Sequence, residues 1–318
     1  MKENIIEKEI TINGEFKLSG TLTIPNNTEN KHPAVIIVPG TGNSDRDGNS
    51  KKLNMNLYKQ LAEFLTSIGY ASLRYDKRGL YKSEGDFIKT GVSDLMDDII
   101  SIYNYLQANE SIDSNNIFLL GHSEGSILST IISGKLNLKG MILLSGAGIS
   151  IRTALSMQSH EAFNEIQDMK GIKGILLRLL YSKNKIKKTQ EKLYQKALET
   201  EKDVIKFQMR EFPAKWLREH LKYTDEDIMD LLKSIDIPVL CITGDKDVQA
   251  DPNDLKAVER LDNDNIKVEI IKNMDHILRY YDREKTIMNL TKQYKEEIDK
   301  PLHQELKKEL ENWFPSIN

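Results

Sequence analysis

Apolar and polar residues alternate along positions 5–12 and 15–24, on either side of Asn13-Gly14. That dipeptide suits the turns that join antiparallel strands, so the chain is expected to open with a β-hairpin. The pattern then changes: after Pro33 comes the run Ala34-Val35-Ile36-Ile37-Val38, which fits a strand covered on both faces. Runs of the same kind recur at 70–75, 117–120, 140–144, 239–243 and 266–271, mostly separated by segments of helical period such as 53–67, 92–107 and 251–261. This alternation predicts an α/β fold built on a mostly parallel, doubly wound sheet.

The rhythm breaks between about 148 and 235, where no convincing strand is found and much of the lysine is concentrated. The spacing there predicts helices over 152–169, 172–181, 187–209, 214–221 and 225–232, with Thr224 and Asp227 as an N-cap pair for the last. The expected division is a core of residues 1–147 and 236–318 carrying a helical cap, or lid, at 148–235. Leu176, Leu177, Leu180, Leu193, Phe207, Phe212 and Trp216 are expected chiefly to pack these helices together, with a ligand cavity as the alternative for any of them. Lysines 183, 185, 187, 188, 192 and 196 read as a solvated face, with membrane-surface contact as the weaker alternative because acids at 191, 199, 201 and 203 interrupt the run.

With 318 residues the chain can bury a sizeable core without a metal or disulfide. Its 45 basic and 48 acidic residues leave a formal charge of −3, which offers no field for a polyanion, so nucleic acid is not an expected partner. The single cysteine, Cys241, lies in the apolar run Pro238-Val239-Leu240-Cys241-Ile242 and reads as a buried thiol. The first nine residues interleave charge with isoleucine and hold no apolar stretch of signal-peptide length; no stretch elsewhere is long enough to span a bilayer. A cytoplasmic protein without stable membrane insertion is expected, and a homodimer is compatible with the sequence.

The chemistry is concentrated in Gly121-His122-Ser123-Glu124-Gly125, which follows the apolar run 117–120 and precedes a helix-like stretch at 126–133. A strand that turns this sharply into a helix strains the backbone at Ser123, and glycine at 121 and 125 lets strand and helix cross: this is the nucleophile-elbow pattern in its required context. A serine hydroxyl needs a base to take its proton and an acid to hold that base. Of the six histidines, His276 stands just beyond the last expected strand, where ligands of open parallel sheets sit; His32, His122, His160, His220 and His303 are less suitably placed. The acid is expected on the loop Gly244-Asp245-Lys246-Asp247, from Asp247 or Asp245, a choice that geometry must decide. Two oxyanion donors are also needed: the N–H of Glu124 and, from the glycine-rich loop Pro39-Gly40-Thr41-Gly42, the N–H of Thr41. That loop lacks the lysine and spacing of a nucleotide-binding loop. The charged loops 44–48 and 74–79 are read as tying the rim together.

Together the loop 39–42, the block Arg74-Tyr75-Asp76-Lys77-Arg78-Gly79, the elbow, the acid loop and Asp275-His276 resemble the α/β-hydrolase superfamily along nearly the whole chain. The stretch 39–48 with Gly-His-Ser-Glu-Gly is similar to bacterial carboxylesterases related to its serine-aminopeptidase-like and dienelactone-hydrolase-like branches, which carry a helical cap after the sixth main strand. The pattern departs at Leu80-Tyr81-Lys82, where small residues usually follow. The resemblance implies Ser123, Asp247 and His276 as the triad, with Asp247 preferred to Asp245, Thr41 and Glu124 as oxyanion donors, and no cofactor or metal. The expected activity is hydrolysis of a small-molecule acyl ester through an acyl-enzyme. The alternatives are an aminopeptidase or amidase, which needs an acidic group to bind a substrate ammonium, and a non-catalytic binding protein on the same fold.

Overall fold

The computed structural model describes residues 5–26 and 31–317. Eight strands form one sheet: β1 (Ile5–Ile12), β2 (Leu18–Pro25), β3 (His32–Val38), β4 (Ala71–Tyr75), β5 (Ile112–His122), β6 (Gly140–Leu144), β9 (Val239–Gly244) and β10 (Ile266–Ile271), in the order β1-β2-β4-β3-β5-β6-β9-β10. β1, β2 and β4 pair antiparallel; every pairing from β4 through β3 to β10 is parallel. The expected α/β sheet with an N-terminal hairpin is present. The hairpin turn is longer than the Asn13-Gly14 signal implies, running over 13–17, and within it Arg78 pairs with Glu15 at 2.5 Å and lies over the Phe16 ring.

The continuous apolar runs are explained by a sheet covered on both sides. In β3, Ala34, Ile36 and Val38 face one layer, with α2 (Val92–Gln107), α3 (Glu124–Ile132) and α9 (Pro252–Val258), while Val35 and Ile37 face the other, with α1 (Leu57–Ser67) and α11 (Gln304–Ser316). β5 splits the same way, with Ile117 and Leu119 on the first side and Phe118 and Leu120 on the second. After β3 the chain first builds β4 on one flank and then β5 on the other. The connections leaving the carboxyl ends of β3 and β5 therefore diverge, and this reversal point is where such sheets leave a crevice.

Between β6 and β9 lie α4 (Ile151–Asp168), α5 (Gly171–Leu180), α6 (Lys183–Leu198), β7 (Val204–Phe207), β8 (Arg210–Pro213), α7 (Ala214–His220) and α8 (Asp225–Lys233). Thr224 caps α8 with Asp227 as anticipated. The long helix expected over 187–209 is not found. It ends at Leu198, and β7 and β8 form an antiparallel hairpin. Gln208 and Met209 both take positive φ, 46° and 64°, as a two-residue hairpin turn requires, although neither residue type signals it. Packing within the insert is looser than expected: Leu176 and Leu180 are more than half exposed, and Leu180, Leu193, Phe207, Phe212 and Trp216 line a cavity of about 690 Å³. Cys241 is buried in β9, and burial pushes its thiol up to about 12. No helix among the described residues is long and apolar enough to cross a membrane.

Candidate active site

β5 delivers Ser123 to the crevice. The residue has φ 56° and ψ −121°, its N–H is bonded at 2.8 Å to the carbonyl of Leu144 on β6, and α3 starts at the next residue. A Cβ on Gly121 would lie 2.3 Å from the Gly125 carbonyl oxygen, and one on Gly125 would lie 2.1 Å from that of Val38. Only glycine permits this crossing of β3, β5 and α3.

His276 stands on the loop after β10. Its Nδ1 lies 2.8 Å from Asp247 Oδ2 and 3.1 Å from Oδ1, and both residues are buried. The carboxylate is itself oriented by the N–H groups of Gln249 and Ala250, at 2.8 and 2.9 Å. An Nδ1 that donates to a carboxylate leaves Nε2 as the lone-pair acceptor, the form a general base needs. Asp245 turns elsewhere, accepting the Asn273 N–H at 2.5 Å. Of the two candidates on that loop, geometry joins Asp247 to His276.

Ser123, His276, Thr41 and Glu124 line one cavity of about 520 Å³, at the carboxyl ends of β3 and β5. The loop that carries Thr41 is held from behind by Tyr58, which the sequence did not mark, and by Lys77, which the sequence placed in a charged loop of the rim. Gly40 N–H donates to the Tyr58 hydroxyl at 2.9 Å, and the buried Lys77 donates to the Gly40 carbonyl at 2.7 Å. In a trans peptide the C=O and the following N–H point in opposite directions, so Lys77 turns the Thr41 N–H away from itself. Burial pulls the Lys77 ammonium down from its ordinary value, and the charge of Glu124 opposes that.

His122 serves the scaffold. Its Nε2 meets the His276 carbonyl at 2.8 Å and its Nδ1 the Tyr58 hydroxyl at 3.1 Å. Tyr58 already accepts from Gly40, so its own proton goes to Nδ1, and the His122 proton sits on Nε2. Burial, then the neighbouring His276, pull its pKa down to about 3. This neutral ring links the elbow, the loop after β3 and the loop carrying His276.

The Glu124 side chain has a separate place. Its Oε1 accepts from Trp216 Nε1 at 2.5 Å and His220 Nε2 at 2.9 Å, both on α7 of the insert. Burial would raise the carboxyl; the hydrogen bond and attraction of His220, the charge of Lys77 and the bond from Trp216 outweigh it and hold it at about 2. The histidine that looked unremarkable at 220 thus anchors the insert to the residue after Ser123. Nothing in the local pattern at 220 signals this, because the contact spans 96 positions.

The loop bearing His276 is fixed beneath. Asp275 and Glu297, both fully buried, flank the Lys285 ammonium at 2.9 and 2.7 Å, and buried Arg279 bonds Gln60 and the Met55 carbonyl. At the rim, Arg46 pairs with Asp76 and Arg74 with Asp47, each at 2.6 Å, which ties the two charged loops together. The departure at Leu80-Tyr81-Lys82 has a use: Tyr81, at φ 47°, reaches the carbonyls of Asn43 and Asn49 with its hydroxyl.

Comparison with known proteins agrees with this architecture. Residues 52–282 match the model of the family described as serine aminopeptidase, S33. Esterase EstD of Thermotoga maritima is 25% identical over 279 residues, which is 87% of this chain and 61% of that protein. The chain thus spans less than two thirds of that relative's length. Among solved structures, Est1E from Butyrivibrio proteoclasticus with bound ferulic acid superposes with a TM-score of 0.57 at 21% identity, covering 90% of this chain and 96% of that one. The Pyrococcus furiosus esterase Pf2001 gives 0.56 at 15% identity, over 98% and 93% of the two chains. With its family match running through the elbow, the acid loop and His276, the chain belongs to the serine aminopeptidase S33 family and has the α/β-hydrolase fold.

Proposed function

We propose that this protein is a serine hydrolase that cleaves carboxylic esters through an acyl-enzyme. The observation that carries this reading is the pairing of His276 Nδ1 with Asp247 at the wall of the cavity onto which Ser123 opens. His276 Nε2 takes the proton of Ser123 as Oγ attacks the ester carbonyl, and Asp247 stabilises the imidazolium. The N–H groups of Thr41 and Glu124 hold the oxyanion. His276 then protonates the leaving alcohol, and water attacks the acyl-serine by the same route to release the acid.

Esters are favoured over aminopeptidase substrates by the charge of the cavity. Among the described residues lining it, Glu124 is the one acid, and its carboxylate is already engaged by Trp216 and His220. A substrate ammonium would have no free counter-charge there. The names Esterase EstD and Esterase Pf2001 point the same way.

A fluorophosphonate probe should label the protein at Ser123, and Ser123→Ala should abolish labelling and lower ester hydrolysis by at least about 10⁴-fold. A panel of acyl esters should be turned over and a matched panel of aminoacyl amides should not. Labelling without turnover of any ester, or turnover preserved in Ser123→Ala, overturns the assignment.

A further inference from the structure

The helix α5 is attached to the molecule by the wrong side for a soluble amphipathic helix. Ile172, Ile175, Leu176 and Leu179 recur at the spacing of a single helical stripe and would be expected to face a core. Instead they are 77%, 53%, 55% and 79% exposed, and the adjoining Leu180 and Tyr181 are 57% and 47% exposed. The side that faces the protein carries Gly174, Leu177 and Arg178. Gly174 is buried so closely against the Met169 carbonyl that a Cβ would lie 2.0 Å from it, and Arg178 donates to the carbonyls of Gln167 and Met169 at 3.0 and 2.8 Å. The end of α4 thus holds α5 with its apolar stripe turned outward.

The surroundings of that stripe carry a charge unlike the rest of the chain. Residues 170–192 contain eight basic residues and one acid, Glu191, for a net charge of +7, whereas the whole chain carries −3. Arg178 is spent on α4, but lysines 170, 173, 183, 185, 187, 188 and 192 are all exposed. Leu180, Tyr181 and Lys185 also line the 690 Å³ cavity of the insert, so the apolar face continues inward from the surface.

We propose that α5 and the lysines around it dock the insert onto an anionic lipid bilayer surface. The stripe enters the boundary between headgroups and acyl chains, and the lysines meet the anionic headgroups. A second copy of the chain is a poorer occupant: a twofold pairing of this face would bring two sets of seven exposed lysines together. A face of ten helical residues lies on a membrane and does not span it. The docking stands apart from the hydrolytic reading, since it uses none of Ser123, Asp247 or His276.

The test is co-sedimentation of the full chain with phosphatidylcholine vesicles with and without phosphatidylglycerol, at low and high salt. The protein should sediment with the anionic vesicles and remain in solution with the neutral ones, and salt should release it. The double variant Ile172→Glu/Leu179→Glu, at two exposed positions, should lose roughly tenfold or more in partitioning, as should Lys187→Gln/Lys188→Gln, with hydrolysis of a short soluble ester unchanged. Failure to sediment with anionic vesicles at low salt, equal binding to neutral ones, or equal binding by the apolar variant overturns the proposal. So does a dimer in light scattering that the apolar variant dissolves without any vesicle binding, which would assign the face to self-association.

Discussion

Lys77 donates a 2.7 Å hydrogen bond to the carbonyl of Gly40, and both residues are buried. This one contact sets the direction of the peptide whose other end is the Thr41 N–H. Lys77→Met keeps an unbranched apolar stem and removes the donor. With the peptide free to rotate, kcat for an ester should fall by about tenfold or more while KM changes little, because the role proposed for the Thr41 N–H is exerted in the transition state. An unchanged kcat in a folded Lys77→Met protein would show that the Thr41 peptide needs no such support.

Asp247 and Asp245 share one loop and do different things. Asp247→Asn should leave His276 in the wrong tautomer and lower kcat by about 10⁴-fold. Asp245→Asn disturbs a bond to the Asn273 N–H and should cost activity far less. Steady-state kinetics of the pair decide it; equal losses would argue against the assigned acid.

Glu124 makes an acid-sensitive link between the elbow and the insert. Its carboxyl is brought from an ordinary value of 4.5 to about 2, against the pull of burial, by His220, Lys77 and Trp216. A lowered folded-state value means that the unfolded chain binds the proton first. The contribution to stability is therefore complete above about 4.5 and is lost as pH falls through about 2. Loss of near-ultraviolet circular dichroism on acidification should be steeper across that window in the native sequence than in Glu124→Gln.

His122 should stay neutral throughout the range in which exposed histidines titrate. Burial and the adjacent His276 hold its pKa at about 3. Its ring resonances in NMR should show no titration step above about pH 5, with the proton on Nε2. A step near neutrality would contradict the hydrogen-bond pattern through Tyr58.

Lys285 pairs with two fully buried carboxylates beside His276. Lys285→Met should destabilise the protein by about 3–5 kcal/mol, measured by denaturant unfolding, because it strands charge in the interior. Burial, then Asp275, push the Glu297 carboxyl up, so the native protein keeps that proton where the unfolded chain gives it up. Stability from this group falls as pH rises from the carboxylate range, and the deficit of Lys285→Met should shrink on mild acidification. A pH-independent deficit would point to packing alone.

The sheet and its helices were legible because their signals are local. A continuous β-branched run such as 34–38 has few other uses, and the glycines of the elbow mark a crossing of backbones that Ser123 must occupy. The hairpin β7–β8 was not legible, since Gln208 and Met209 adopt left-handed backbone without the glycine or asparagine that usually marks it. Leu176 and Leu180 were expected to be packed, because periodicity locates an apolar stripe but not the direction in which it faces.

By itself the sequence determined the strands of the main sheet, the helices that flank it and the loops that carry Ser123, Thr41, the acids and His276, all of which depend on residues within a few positions of one another. Only the tertiary structure paired Asp247 and not Asp245 with His276, placed Lys77 behind Gly40, joined Glu124 to His220 and turned α5 outward. Those outcomes depend on which groups meet across the fold, and a hydrogen bond between residues 96 positions apart leaves no trace in the periodicity of either segment.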